Sequence, residues 1–271
     1  MRDRPVSHIH IPDGVLPIWL WLPGWLVALG LVYLAGRAAE RSDARRKVPL
    51  IAVVSAVMLV AMSSEIVPIA YHMNLTVVSG VLLGPLLSVI AAFIVQIVLA
   101  MLGHGGVTVI GLNTLMTSAE MVIGWALFRG LTVVLSRRRV RWSAAVATVI
   151  TLAITTTLLV GLVALAGGGA ATARGTGALN PNSLAFASPF SAGVVHIGLF
   201  SGGEREASRT LSVTRFAAVV YTLGSIGWIL EALVSAWILG YIARVRPALL
   251  WEGALNEEAG HHLIGDEARQ Q

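Results

Sequence analysis

The sequence predicts an all-α, polytopic membrane protein of about seven transmembrane helices, with its N-terminus outside and its C-terminus inside. Three observations carry that prediction. The 271 residues are 56% hydrophobic and only 12% charged, whereas an ordinary soluble domain is roughly 25% charged. Apolar runs of spanning length, about 20 residues, recur along the chain. The arginines gather between those runs.

The first run, about 17–36, holds Pro17, Pro23 and three tryptophans, and it follows Arg2 and Arg4. It is long for the apolar core of a signal peptide and is read as a retained helix. The second run covers about 48–67. The stretch 73–103 exceeds one span, and Gly84-Pro85 divides it. Proline lacks an amide donor and disfavours helix at the residue before it, so two helices are expected, about 73–84 and 86–102. Runs at about 107–135, 143–166 and 215–241 bring the total to seven.

Basic residues set the orientation. Arg37, Arg41, Arg45, Arg46 and Lys47 follow the first helix, Arg137, Arg138, Arg139 and Arg141 the fifth, and Arg244 and Arg246 the seventh. Seven spans put all three clusters on one side, which the positive-inside rule makes cytoplasmic. The expected organisation is an external N-terminal capping segment, 1–14, a transmembrane helical domain, 15–243, and a cytoplasmic tail, 244–271. The domain carries an external loop at about 167–214, opening Gly167-Gly168-Gly169. An apolar middle at 184–200 suits an interfacial or re-entrant helix. The location is the cell (inner) membrane, multi-pass, in contact with the lipid bilayer.

Several function classes fall away. Lys47 is the single lysine, which excludes a phosphate-binding Gly-Lys-Ser/Thr loop, so any use of ATP belongs to a partner. The signatures His-Glu-x-x-His and Gly-x-Ser-x-Gly are missing, and the chain is not read as an enzyme. No cysteine is present, so thiolates are not available as ligands. The net charge of +5 follows from topology signals and does not imply nucleic acid.

The candidate site is built on histidine, the commonest transition-metal ligand. His8-Ile9-His10-Ile11-Pro12-Asp13-Gly14 precedes the first apolar run, and Pro12-Asp13-Gly14 suits a tight turn. The expected topology places His8, His10, His72, His104 and His196 on the outer face. His8 and His10 with His72 are the leading group. Interfacial histidines are also often merely solvated or hydrogen-bonded, and residue types alone leave both readings open. Gly103-His104-Gly105-Gly106 reads as a tight turn that puts His104 at a helix end. Asn113 lies in the outer third of the following helix, where a polar group at lipid depth needs a partner. Glu65, Glu120 and Glu231 fall within apolar runs, where carboxylates face a cavity or a partner. Glu65, near the outer end of the second helix, is placed behind the histidines, and Glu120 and Glu231 are assigned structural roles.

These motifs resemble those of the CbiM/NikM-type substrate-binding membrane subunits of energy-coupling factor (ECF) ABC transporters. His10-Ile11-Pro12-Asp13-Gly14-Val15-Leu16 is similar to that family's opening. Tyr71-His72-Met73-Asn74-Leu75-Thr76 with Gly80 and Leu83-Gly84-Pro85 resembles its second histidine region. Gly103-His104-Gly105-Gly106-Val107-Thr108 with Gly111-Leu112-Asn113-Thr114-Leu115 resembles its next loop and helix. The resemblance covers about 8–135, and beyond that only the layout of spans.

The resemblance implies capture of Co²⁺ or Ni²⁺ as a transported substrate, with no resident cofactor. The implied ligands are an amine at Ile9, the backbone and imidazole nitrogens of His10, and His72, with Asn74, His104, Asn113 and Glu65 behind them. Nitrogen donors suit these ions better than Mg²⁺ or Ca²⁺. Eight residues precede Ile9 here, so a free amine there requires processing, and His8 is the alternative nitrogen donor. The implied partners are a transmembrane coupling subunit and two cytoplasmic ATPase subunits, with room for a small accessory membrane subunit. The competing reading is an ECF-type subunit for an organic solute, or a membrane regulator that binds no metal, on the same scaffold.

Overall fold

Six α-helices and one very short hairpin make up the described part of the chain. The computed structural model describes residues 18–41, 47–63, 65–66, 71–102, 106–173 and 213–251. The order is α1 (Ile18–Arg41), α2 (Val48–Ser63), β1 (Glu65–Ile66), β2 (Tyr71–His72), α3 (Thr76–Met101), α4 (Ile110–Val134), α5 (Val140–Ala173) and α6 (Val213–Val245). A 3₁₀ turn, Arg137–Arg139, links α4 to α5. Among the described residues, four segments are long and apolar enough to cross a membrane: Ile18–Arg41, Thr76–Met101, Arg137–Leu162 and Val220–Val245.

Expectation and structure differ at several places, three of them in the helices. The two helices expected across 73–102 form one element, α3, but its backbone breaks where Gly84-Pro85 predicts a break. Gly84 leaves the helical region at φ 75° and ψ 173°, with Pro85 next. The break is sharp. A straight helix would hold Gly80 and Gln96 about 24 Å apart. Yet Gly80 lies against Met121 and Gln96 donates to Thr117 at 2.8 Å, and those partners are one turn apart on α4.

The second helix, expected to reach residue 67, ends at Ser63. Pro68 disfavours helix before it, and Ile66 and Val67 are β-branched. Glu65 is therefore on β1, outside the helix. The third difference is at the expected loop 167–214. Helix α5 continues through the three glycines to Ala173, and α6 begins at Val213. Each glycine costs a helix about 1 kcal/mol, too little to stop one already propagated.

Packing divides lipid-like faces from core. Only Gly24, Ala28 and Ala35 of α1 are buried, while Leu22, Leu26, Leu29, Tyr33 and Leu34 are exposed. That narrow small-residue face admits α4 at backbone distance. A Cβ on Gly111 would lie 2.5 Å from the Trp25 backbone. The Trp25 indole donates to the Thr108 carbonyl at 2.7 Å. One core joins Ile51, Val54, Met58 and Met62 of α2 to Leu83, Leu87, Ala91, Val95 and Leu99 of α3 and Met121 of α4. A second joins Val77, Val78 and Val81 of α3 to Phe128, Ala144, Ala147, Leu239 and Leu250.

Candidate metal-capture site

His72 is the one proposed histidine ligand inside the described residues, and its place is well defined. It ends β2, opposite Glu65 of β1 in an antiparallel pair. It is 8% exposed. The apolar pattern predicts it at the start of the third helix. The structure puts it on a strand just before that helix, with Met73, Asn74 and Leu75 carrying the chain into α3.

That three-residue passage is held from two sides. Glu231 of α6, fully buried, accepts the Leu75 amide at 2.9 Å and the Asn74 amide at 3.3 Å. Glu120 of α4 accepts the Thr76 hydroxyl and the Thr155 hydroxyl at 3.4 Å. A buried intramolecular hydrogen bond contributes about 0.5–1.5 kcal/mol. Leu75 needs such support. It lies at φ 51° and ψ 25°, a left-handed conformation that disfavours a non-glycine residue by about 1–2 kcal/mol. Backbone strain of this kind persists only where the surroundings over-determine it, and it concentrates at functional sites.

The other named residues fall as follows. Asn74 is buried between His72 and the clamp. Asn113 is buried in the first turn of α4, two turns from Glu120 and so about 10 Å along the helix. Glu65 is brought opposite His72 by the strand register. His8, Ile9, His10, His104 and His196 lie outside the described residues. Among the described residues, no three His, Cys, Asp or Glu side chains gather closely enough to hold a metal ion. The carboxylates Glu120 and Glu231 were legible as costly charges in apolar helices. The strained Leu75 had no sequence signal, because leucine is not a residue that favours left-handed backbone.

A family model described as the cobalt uptake substrate-specific transmembrane region, CbiM, matches residues 10–249. The chain belongs to this family. It is a multi-pass membrane protein. A putative cobalt transport protein CbiM of Halobacterium salinarum is 32% identical over 203 residues, 72% of this chain and 89% of that protein. The cobalt transport protein CbiM of Clostridium tetani is 27% identical over 132 residues, 46% of this chain and 55% of that protein. That of Geobacter sulfurreducens is 30% identical over 138 residues, 47% of this chain and 39% of that protein. The chain thus spans about half the length, or less, of some curated CbiM relatives that it matches. No solved structure matches it.

Proposed function

We propose that this chain is the substrate-capture membrane subunit of a cobalt uptake transporter. The observation that carries the reading is the setting of His72: buried, on a strand end, followed at once by a strained turn that two intramembrane carboxylates hold. A ligand on such a support keeps one orientation, which a transition-metal site requires. Membership of the cobalt-uptake family supports Co²⁺ as the substrate, and Ni²⁺ accepts the same nitrogen donors.

The N-terminal segment completes the site. His10 supplies nitrogen donors beside His72, and either a processed Ile9 amine or the His8 imidazole supplies the remaining one. The segment closes over the ion on the outer face, and the arginine clusters face the cytoplasm. In this reading the two arms of α3 on either side of Gly84 count separately, which restores seven helical segments. Energy comes from an ECF-type coupling subunit and two ATPase subunits, in keeping with the lack of a phosphate-binding loop here.

Metal accumulation and metal content test the reading together. His72→Ala and His10→Ala are each expected to abolish Co²⁺ uptake while the protein still reaches the membrane. Purified wild-type protein is expected to carry about one Co²⁺ per chain after loading, and either variant much less. Normal uptake by both variants, or no metal retained by the wild type, would overturn the proposal.

A further inference from the structure

The end of the fold where α4 and α6 finish is strongly basic. The turn Arg137–Arg139 follows α4, Arg141 lies in the first turn of α5, and Arg244 and Arg246 stand where α6 ends. Arg138, Arg139, Arg141, Arg244 and Arg246 are all exposed. Packing joins them into one surface. A Cβ on Gly240 would lie 2.5 Å from the Arg141 Cγ and 2.7 Å from its Nε. The Arg141 side chain therefore lies across α6, one turn before Arg244. Among the described residues, α4, α5, α6 and the turn after them carry two acidic residues, Glu120 and Glu231. Both are buried at the turn after His72, so neither offsets these arginines.

The chain leaves the described fold at this same surface. The Leu250 and Trp251 amides donate to the Pro247 carbonyl at 3.0 Å and 3.2 Å. Leu250 is buried in the second core, and Trp251 stacks on Phe128 at 6.2 Å and 20°. The Arg137 and Arg129 guanidinium carbons lie 4.9 Å and 5.6 Å from the Trp251 ring centroid. Residues 252–271 follow, outside the described residues. They hold Glu252, Glu257, Glu258, Asp266 and Glu267 against one arginine, Arg269. A flexible chain of six residues spans about 13 Å, which brings Glu257 and Glu258 within range without stretching. A single exposed ion pair contributes little. A tether this short sets an effective concentration in the millimolar range, where several pairs act together.

We propose that the acidic tail 252–271 docks on the arginine surface of its own chain. Glu257-Glu258 and Asp266-Glu267 then meet Arg138, Arg139, Arg141, Arg244 and Arg246. Charge complementarity and the anchor at Trp251 carry this, so it stands apart from the metal-capture reading. Anionic phospholipid is the rival occupant, since basic residues beside an apolar helix attract it. The tail is favoured because Trp251 delivers its first acid to the surface whatever the lipid composition.

The chain has no cysteine, so Ser136→Cys and Ala259→Cys take one spin label each in the full-length protein. The distance between the labels is measured in a neutral detergent at about 0.01 M and about 1 M salt, where the screening length is about 30 Å and about 3 Å. A narrow distribution is expected at low salt, broadening and lengthening at high salt. Glu257→Gln, Glu258→Gln, Asp266→Asn and Glu267→Gln together should broaden it at low salt. Arg138→Gln, Arg139→Gln and Arg246→Gln together should do the same. The tail variant changes no residue of the packed helices, so it reports even if the arginine variant fails to fold. A broad distribution at low salt overturns the proposal, and retained phosphatidylglycerol in that sample assigns the surface to lipid instead. A narrow distribution that persists at high salt, or in the tail variant, overturns it as well, because charge then does not hold the tail.

Discussion

The Glu231 carboxylate on α6 accepts the amide of Leu75, 2.9 Å away and 156 residues earlier in the chain. It accepts the Asn74 amide with its other oxygen. One side chain thus ties the last long helix to the residues that follow His72. The bond joins residues more than half the chain apart, so the position of His72 depends on how α6 packs.

Glu231→Gln should loosen that tie without emptying the space. Glutamine keeps one acceptor oxygen, but its amide nitrogen then faces a backbone donor. Losing one buried hydrogen bond of about 0.5–1.5 kcal/mol corresponds to roughly a two- to tenfold fall in Co²⁺ affinity. Protein level in the membrane should hold. Glu231→Leu should go further, because two buried amides lose their acceptor, and should lower the thermal midpoint as well. Isothermal titration of the purified variants with Co²⁺ checks both. Affinity of Glu231→Gln equal to wild type would show that the clamp does not orient the ligand.

Glycines in two helices should respond oppositely to alanine. A Cβ on Gly80 would meet the Met121 carbonyl oxygen at 2.1 Å, a backbone atom that cannot swing away. Gly80→Ala must therefore separate α3 from α4, next to the clamp on Thr76 and Glu120. A loss of about 2–4 kcal/mol is expected, on the scale of other overpacked or disrupted core sites. Gly30 in α1 is the opposite case, since a Cβ added there would have no atom within 4 Å. Alanine at that position should be neutral or stabilise by up to about 1 kcal/mol through helix propensity. Thermal unfolding of both variants in one detergent makes the comparison.

Metal capture through imidazoles should weaken in acid. A histidine binds metal only when neutral, and its ordinary pKa is about 6.5. Protons then compete with Co²⁺. Apparent affinity should be flat above about pH 7.5 and fall as pH drops below about 6, with a slope that grows with the number of histidine ligands. Titrations from about pH 5 to pH 8, bracketing the histidine range, measure it at constant ionic strength. An affinity unchanged at the acid end would count against histidine ligation.

Much of this arrangement was legible in the sequence because apolar length and charge act over one helix at a time. The break at Gly84-Pro85 was visible in the same way, since both residues act on their own backbone. The end of α2 was not placed correctly. An apolar window extends as easily through Glu65 and Ile66 as through a helix, and Pro68 gave the only local sign. Glu120 and Glu231 announced themselves as charges in apolar runs, but what they hold did not. Their partners are hydroxyls and amides on other helices, and no pattern within α4 or α6 names Thr76 or Leu75. The Arg129–Trp251 pair was hidden for the same reason, as its two residues come together only when the turn at 248–251 packs on the end of α4.

The second arm of the clamp makes its own prediction, because Thr76 and Glu120 meet directly. Thr76 is 1% exposed and Glu120 3%, so water cannot replace either partner. Thr76→Val removes the hydroxyl and keeps the shape. Glu120→Gln keeps one acceptor oxygen and replaces the other with an amide donor. Each single change should lower the thermal midpoint. If the bond is what matters, the double variant should lose less than the sum of the two. Interhelical hydrogen bonds in membrane proteins average about 0.6 kcal/mol in such cycles, with a maximum near 1.7 kcal/mol. The burial of both partners places this pair toward the upper end, about 1–1.5 kcal/mol. Thr155→Val supplies the contrast. Its bond to the same carboxylate is 3.4 Å long, and its hydroxyl also reaches the Thr151 carbonyl at 3.1 Å. Its coupling to Glu120 should therefore be smaller. Full additivity of Thr76→Val and Glu120→Gln would mean that Glu120 supports α4 and α5 packing alone, and that Glu231 by itself holds the turn after His72.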